Sequence, residues 1–384
     1  MIEFAFCSLP PFDWPYFHER LSTMPDLSDE LRKEGGDALA FLERELGRDF
    51  FETCGKNHPV EHKIMMAGGI GQLKEFIRWV QVLKTLKTTD SNYAYLLKKL
   101  HLANDAYVEG IPFIEISGRH LAKGFGVYFP REKQGQKNPD LELTFLGTGE
   151  KVFVEVTRIS EGRDQKMKSV LYHRLLDICF WHGNFIHHAG KLYEMMPEEE
   201  WPELIERVKQ MKEAAFEKQE LVAYQDQYLA IAFAHPDRLA ELNKWCGELN
   251  LRRGFDGFNV EYNYTSRMIR NGRIDKEAKQ IPDGKPGMIY CPVHPLYPLT
   301  MDVQETVTAF AADLARYDKI FALVFYGEVM PALEEAFIDE NENYINSVSN
   351  NEAFVSRYTL MVKNPSFNLP LSEAAGKALV RAAI

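Results

Sequence analysis

The chain has no excess of positive charge, no paired cysteines and no long apolar run, and each lack closes a class of function. Its 384 residues carry 45 Lys and Arg against 56 Asp and Glu, a net charge of -11. Proteins that coat nucleic acid without selection rely on broadly basic surfaces. Here such binding is restricted to a local basic groove. The five cysteines, Cys7, Cys54, Cys179, Cys246 and Cys291, are widely spaced and form no C-x-x-C pair. That excludes a zinc ribbon or a dithiol redox motif, and an odd, scattered set suits a reducing compartment better than a disulfide framework. No stretch of about 18 uncharged apolar residues occurs, so no membrane span is expected. Residues 1–11 lack the basic and apolar regions of a signal peptide. The expectation is a cytoplasmic protein. Phosphate-loop, dinucleotide, nucleophile-elbow and H-E-x-x-H patterns are also missing, although Gly68-Gly69-Ile70-Gly71 is glycine-rich and His182, His187 and His188 cluster.

What is present is an α/β alternation behind a helical start. Apolar residues at helical spacing, such as Leu73, Phe76, Ile77, Val80 and Leu83, make residues 1–105 a helical N-terminal region. The character changes near Ile111. A helix over residues 112–123, with Pro112 in its first turn and Gly124 beyond its end, leads into strands near 125–130, 140–146 and 151–159. A long, mostly helical insertion occupies about 161–262. Helix 265–280, strand 287–291, helix 302–316 and strand 319–325 then predict a right-handed parallel crossover. Residues 106–330 therefore read as an α/β core. Residues 331–384 read as a loop-rich C-terminal extension with an exposed polar stretch at 339–351.

The segment from Asn138 to Arg158 carries the chemistry. Side chains alternate across a strand, so Leu141, Leu143 and Phe145 share one face, and Val152, Val154 and Val156 share the matching face of the next strand. A two-residue loop at Gly147-Thr148 pairs Leu143 with Val152 and Leu141 with Val154. The same register sets Asp140 opposite Glu155. Two bare carboxylates there repel each other, and a hard divalent cation between them removes the conflict.

This order of helix, strand, strand led by Pro139-Asp140 and strand bearing Glu155-Val156-Thr157 resembles the PD-(D/E)XK nuclease superfamily. The resemblance is good from Ile111 to Arg158 and looser from Ile269 to Phe325. It implies a restriction-endonuclease-like mixed sheet, a Mg or Mn ion held by Asp140 and Glu155, and hydrolysis of phosphodiester bonds in nucleic acid by an activated water. Glu115 matches the position where members place a helix acid that completes the site. The family's lysine, two residues after the glutamate, is here Thr157, and Arg158 points to the opposite face. Some members carry the lysine on a later helix, which makes Lys279 the expected replacement, with Gln280 beside it. The alternative is a catalytically inactive module of this fold that binds nucleic acid or a protein partner, as Thr157 and the acidic balance suggest.

Overall fold

The computed structural model describes residues 13–54, 58–64, 69–102, 110–131, 137–157, 163–184, 186–251, 258–260, 269, 272–293, 303–329, 336–350 and 356–384. Its principal helices are, in chain order, α1 (Trp14–Thr23), α2 (Asp29–Leu46), α3 (Phe50–Thr53), α4 (Pro59–Ile64), α5 (Ile70–Thr88), α6 (Tyr93–Leu100), α7 (Ile111–Leu121), α8 (Arg163–Trp181), α9 (Trp201–Lys218), α10 (Leu239–Glu248), α11 (Arg273–Gln280), α12 (Val303–Leu314) and α13 (Glu373–Ala383). The strands are β1 (Phe125–Tyr128), β2 (Leu141–Phe145), β3 (Lys151–Val156), β4 (His187–Leu192), β5 (Leu221–Gln225), β6 (Leu229–Ala234), β7 (Phe258–Val260), β8 (Gly287–Pro292), β9 (Ile320–Val329), β10 (Phe337–Glu340), β11 (Tyr344–Asn350) and β12 (Ser356–Lys363). The chain divides into two compact units. One comprises residues 1–159, 265–296 and 303–384; the other comprises 160–264 and 297–302. Among the described residues, no helix is long and apolar enough to cross a membrane.

The first unit is a mixed sheet of eight strands in the order β1-β2-β3-β8-β9-β12-β11-β10. Strands β1, β2 and β3 form an antiparallel meander; β3, β8 and β9 run parallel; β12, β11 and β10 return antiparallel. The parallel centre is buried on both faces, which is why Met288-Ile289-Tyr290-Cys291 is a continuous apolar run rather than an alternation. Its first face carries Val152, Val154, Met288, Tyr290, Val324 and Tyr326, which share one core with the N-terminal helices. On the second face, α11 packs on β3 and β8, and α12 packs on β9 and β12.

Local signals set the helix starts. Asp13 accepts the Tyr16 N–H at 2.8 Å to cap α1, and Ser28 accepts the Leu31 N–H at 3.2 Å to cap α2. Helix α7 is enclosed by its neighbours: Phe113, Ile114 and Ile116 are all buried. The helix packs against α5, where Gly118 leaves room for Val82. Toward the sheet, the His120 ring bonds the Tyr290 hydroxyl at 2.8 Å.

The chain beyond Gly327 departs from the expected loop. Strands β10 to β12 extend the sheet, and Tyr344 to Val348 are buried despite the polar neighbourhood. Asn346, Ser347 and Thr359 are polar residues buried within paired strands. Their backbone groups are satisfied by the ladder, so composition alone hides the strand. Helix α13 then returns to the hairpin. Ser372 caps it by accepting the Ala375 N–H, and donates its own N–H to Glu150 at 2.6 Å.

The second unit has its own four-stranded sheet, ordered β5-β6-β4-β7, with β4 and β7 parallel and the other pairs antiparallel. Helix α9 contributes a buried lysine, Lys212, whose ammonium donates to the Ile178 and Cys179 carbonyls at 2.9 and 2.8 Å. These are carbonyls of the last turn of α8, where helical N–H partners run out; that of Ile178 also accepts the His182 N–H at 3.3 Å. In β4, a Cβ on Gly190 would lie 2.3 Å from the Ala230 carbonyl oxygen and 2.9 Å from the Ile231 Cα. Both are backbone atoms that cannot rotate away. Gly190→Val is expected to cost about 3 kcal/mol or more in urea unfolding, and a variant as stable as wild type would refute this tight approach.

Candidate acidic site at the hairpin

The site is built by strand pairing. Leu141 faces Val154 and Leu143 faces Val152, so the next pair outward is Asp140 and Glu155. The loop is longer than the two residues expected. Pairing ends at Phe145 and Glu150, where Phe145 donates its N–H to the Glu150 carbonyl, and the Gly149 N–H closes the turn on the Phe145 carbonyl at 2.7 Å. Gly149 adopts φ +77°, a conformation open to glycine. The loop lengthens by one residue on each side of its centre, so the register is unchanged and Thr144 still faces Lys151.

Asp140 sits one residue before β2 and accepts the Val156 N–H at 2.7 Å through Oδ2. Glu155 is only 3% exposed, and its Oε1 has no hydrogen-bond partner. Burial raises the Glu155 carboxyl far above the usual carboxylate range, and the nearby charges of Asp140 and then Glu277 push it further; a hydrogen bond with Asp140 adds to this, and Lys276 opposes it. The pair therefore holds a proton at neutral pH when no cation is present.

The second face of the sheet completes the surroundings. Thr157 continues the pairing of β3, its N–H donating to the Tyr290 carbonyl at 2.8 Å. Its hydroxyl donates to Glu277 Oε1 at 3.0 Å, and both residues are buried. Glu277 lies on α11 and has Arg273 Nη1 at 3.9 Å. Burial raises its carboxyl, while Thr157, Lys276 and Arg273 pull it back.

The other sequence candidates lie at varied distances from this centre. Lys279 is 72% exposed and its ammonium is held by Asp275 at 2.5 Å. Lys276, also exposed, has only the smallest of the influences on Glu155. Ile274, Glu277 and Ala278 face the sheet, whereas Lys276 and Lys279, three positions apart on α11, are both exposed. Gln280 reaches the rim, its Oε1 accepting the Asn138 N–H at 3.4 Å. Glu115 lies on α7, at the first face of the sheet. It is bound to Lys63 at 2.5 Å and acts on Tyr326 of β9, two strands from β3. Arg158 lies outside the described residues. Glu277 and Lys276 were not singled out from sequence. The signal available was an acid and a base bracketing the buried turn of an otherwise charged helix.

The residues fit a divalent cation in a limited way. The unpartnered oxygen of Glu155 beside Asp140 is a buried acceptor that lacks a positive partner. Among the described residues, no three His, Cys, Asp or Glu side chains converge as a ready-made ligand set. Two carboxylates are nevertheless a common protein contribution to magnesium, with water and substrate oxygens filling the other positions. No family model, no curated protein and no solved structure matches the chain.

Proposed function

We propose that the protein is a divalent-metal-dependent nuclease of the restriction-endonuclease-like kind, hydrolysing phosphodiester bonds in nucleic acid at Asp140 and Glu155. The observation that carries this reading is the buried, unpartnered Glu155 oxygen next to Asp140. Asp140 has a structural partner in the Val156 N–H, but burying Glu155 beside it with one oxygen unpaired costs stability. The order helix α7, meander β1-β2-β3, helix α11 and parallel strand β8 supports the family resemblance. Asp140 and Glu155 would hold Mg or Mn, which when bound supplies Lewis-acid charge to the phosphoryl oxygens. Lys276, whose charge has a small effect on Glu155, is the lysine this reading assigns to the developing phosphoryl charge, since Lys279 is paired with Asp275. Gln280 braces the Asn138 lead-in to the aspartate. Glu115 serves the α7 side through Lys63 and takes no part in this scheme.

The direct test is cleavage of labelled single- and double-stranded DNA and RNA by the purified protein with Mg or Mn. Metal-dependent cleavage supports the enzyme. Binding without cleavage favours the inactive module, the reading that Thr157 in place of the family lysine supports. Lys276→Ala is expected to lower cleavage by about 10- to 100-fold, the worth of one charged hydrogen bond, while Lys279→Ala stays within about threefold, as for an exposed ion pair. The reverse ranking would return the role to Lys279.

A further inference from the structure

Thr157 stands where the nuclease family carries its lysine, and the substitution reads at first as a loss. The structure surrounds it with an unusual arrangement for a surface threonine. Thr157 is 2% exposed and Glu277 is 6% exposed, and the hydroxyl donates to the carboxylate at 3.0 Å. A hydroxyl has one proton to donate and two lone pairs that accept. With its proton committed to Glu277, the Thr157 oxygen has only acceptor capacity left. A lysine ammonium is the opposite, with donors only.

Thr157 follows Glu155 by two residues on the same face of β3, about 6.6 Å along the strand. Its branched Cβ restricts the rotamers it can adopt. The carboxylate that fixes it comes from α11, the helix packed on β3 and β8. Glu277 accepts from Thr157 and has Arg273 Nη1 at 3.9 Å; burial, the largest influence, raises its carboxyl, and Thr157, Lys276 and Arg273 oppose this. The Glu155 oxygen without a partner marks the same centre as one built to receive a ligand.

We propose, resting on the nuclease reading, that Thr157 is a catalytic residue whose hydroxyl oxygen accepts a hydrogen bond from the attacking water, and that Glu277 is the positioning residue that turns the hydroxyl for it. Orientation of the water, one of the lysine's duties, thereby passes to Thr157. In the reaction the water oxygen forms the new bond to phosphorus. The bond from phosphorus to the leaving oxygen breaks, its electron pair departs with that oxygen, and solvent takes the water's proton and protonates the leaving group.

The experiment compares wild type, Thr157→Ala, Thr157→Ser, Glu277→Gln and the double variant Thr157→Ala/Glu277→Gln. Cleavage rates, Mn affinity by titration and thermal unfolding are measured for each. Thr157→Ala and Glu277→Gln are each expected to lower kcat by about 10- to 100-fold, the worth of a hydrogen bond to a charged or reacting group, with KM and Mn affinity within about threefold. Thr157→Ser keeps the hydroxyl and is expected to retain at least about a third of the wild-type kcat. The double variant is expected to lose no more than the worse single variant, because the two residues act as one unit. Full kcat in folded Thr157→Ala, multiplied losses in the double variant, or losses confined to KM or Mn affinity overturn the proposal. If wild type does not cleave, or if Asp140→Asn cleaves as wild type does, the nuclease reading itself falls and takes this one with it. If Asp140→Asn is inactive and Thr157→Ala is fully active, only this proposal falls.

Discussion

Asp140→Asn and Glu155→Gln are each expected to lower metal-dependent phosphodiester cleavage by about 1,000-fold, equivalent to about 4 kcal/mol of transition-state stabilisation. Both substitutions change charge and hold shape constant. Asn at 140 keeps an oxygen to accept the Val156 N–H, so the lead-in to β2 stays in place. Gln at 155 fills the same buried volume and keeps one oxygen toward the orphan position. What each change removes is a negative ligand, and a hard cation depends on anionic oxygen. Mn affinity should fall along with cleavage in both variants. Wild-type cleavage in either variant, with the protein shown to be folded, would end the assignment of these two carboxylates.

The second large effect has the opposite sign. In the absence of metal, Glu155→Gln is expected to stabilise the fold by up to about 5 kcal/mol at pH 8, since each pH unit above the unfolded value of about 4.3 adds up to about 1.4 kcal/mol. Burial, Asp140 and Glu277 keep Glu155 protonated in the folded state well above the pH at which the unfolded chain ionises, about 4.3. Above that pH the unfolded state binds fewer protons than the folded state, so stability falls as pH rises, by up to about 1.4 kcal/mol per unit. Gln has no proton to lose and can still donate to Asp140, so the variant's advantage should widen with pH.

Two histidines act on the acid side. His58 is pushed down to about 4 and His120 to about 3, burial being the first cause for each. Both stay neutral in the fold while the unfolded chain protonates them below about 6.5. Their contribution is complete above that pH and is lost as pH falls through it toward their folded values. Between about pH 4.3 and 6.5 the two histidines outweigh the single glutamate, so these groups place the metal-free optimum near pH 6.5. Urea unfolding in chelator at pH 6, 7 and 8 decides the point. An advantage of Glu155→Gln over wild type that shrinks with rising pH would contradict a protonated Glu155. One substitution that strengthens the fold and abolishes the chemistry is the expected mark of a site kept for function.

Much of the hairpin was legible before any coordinates. Strand alternation has a period of two, and a turn centred on Gly147-Thr148 selects, among the registers that match the apolar faces, the one that pairs Leu141 with Val154 and Leu143 with Val152. Asp140 opposite Glu155 follows from that register and is indifferent to the length of the loop between them. The helix bearing Leu73, Phe76 and Val80 was legible for a similar reason, since its apolar stripe repeats at helical spacing.

Side-chain placement on α11 was not legible in this way. The helix presents Asp275, Lys276, Glu277 and Lys279 within five residues, and local chemistry does not distinguish among them. Packing of Ile274 and Ala278 against the sheet sets the rotation that buries Glu277 and leaves Lys276 and Lys279 exposed. Strands β11 and β12 were hidden because their polar residues are satisfied by a ladder that exists only once the distant partner β9 is in place. The sequence by itself determined the hairpin, its register and its facing acids, because these depend on alternation between neighbours in the chain. Only the tertiary structure decided which helix residues meet those acids and how far the sheet extends, because both depend on contacts between segments that no local pattern records.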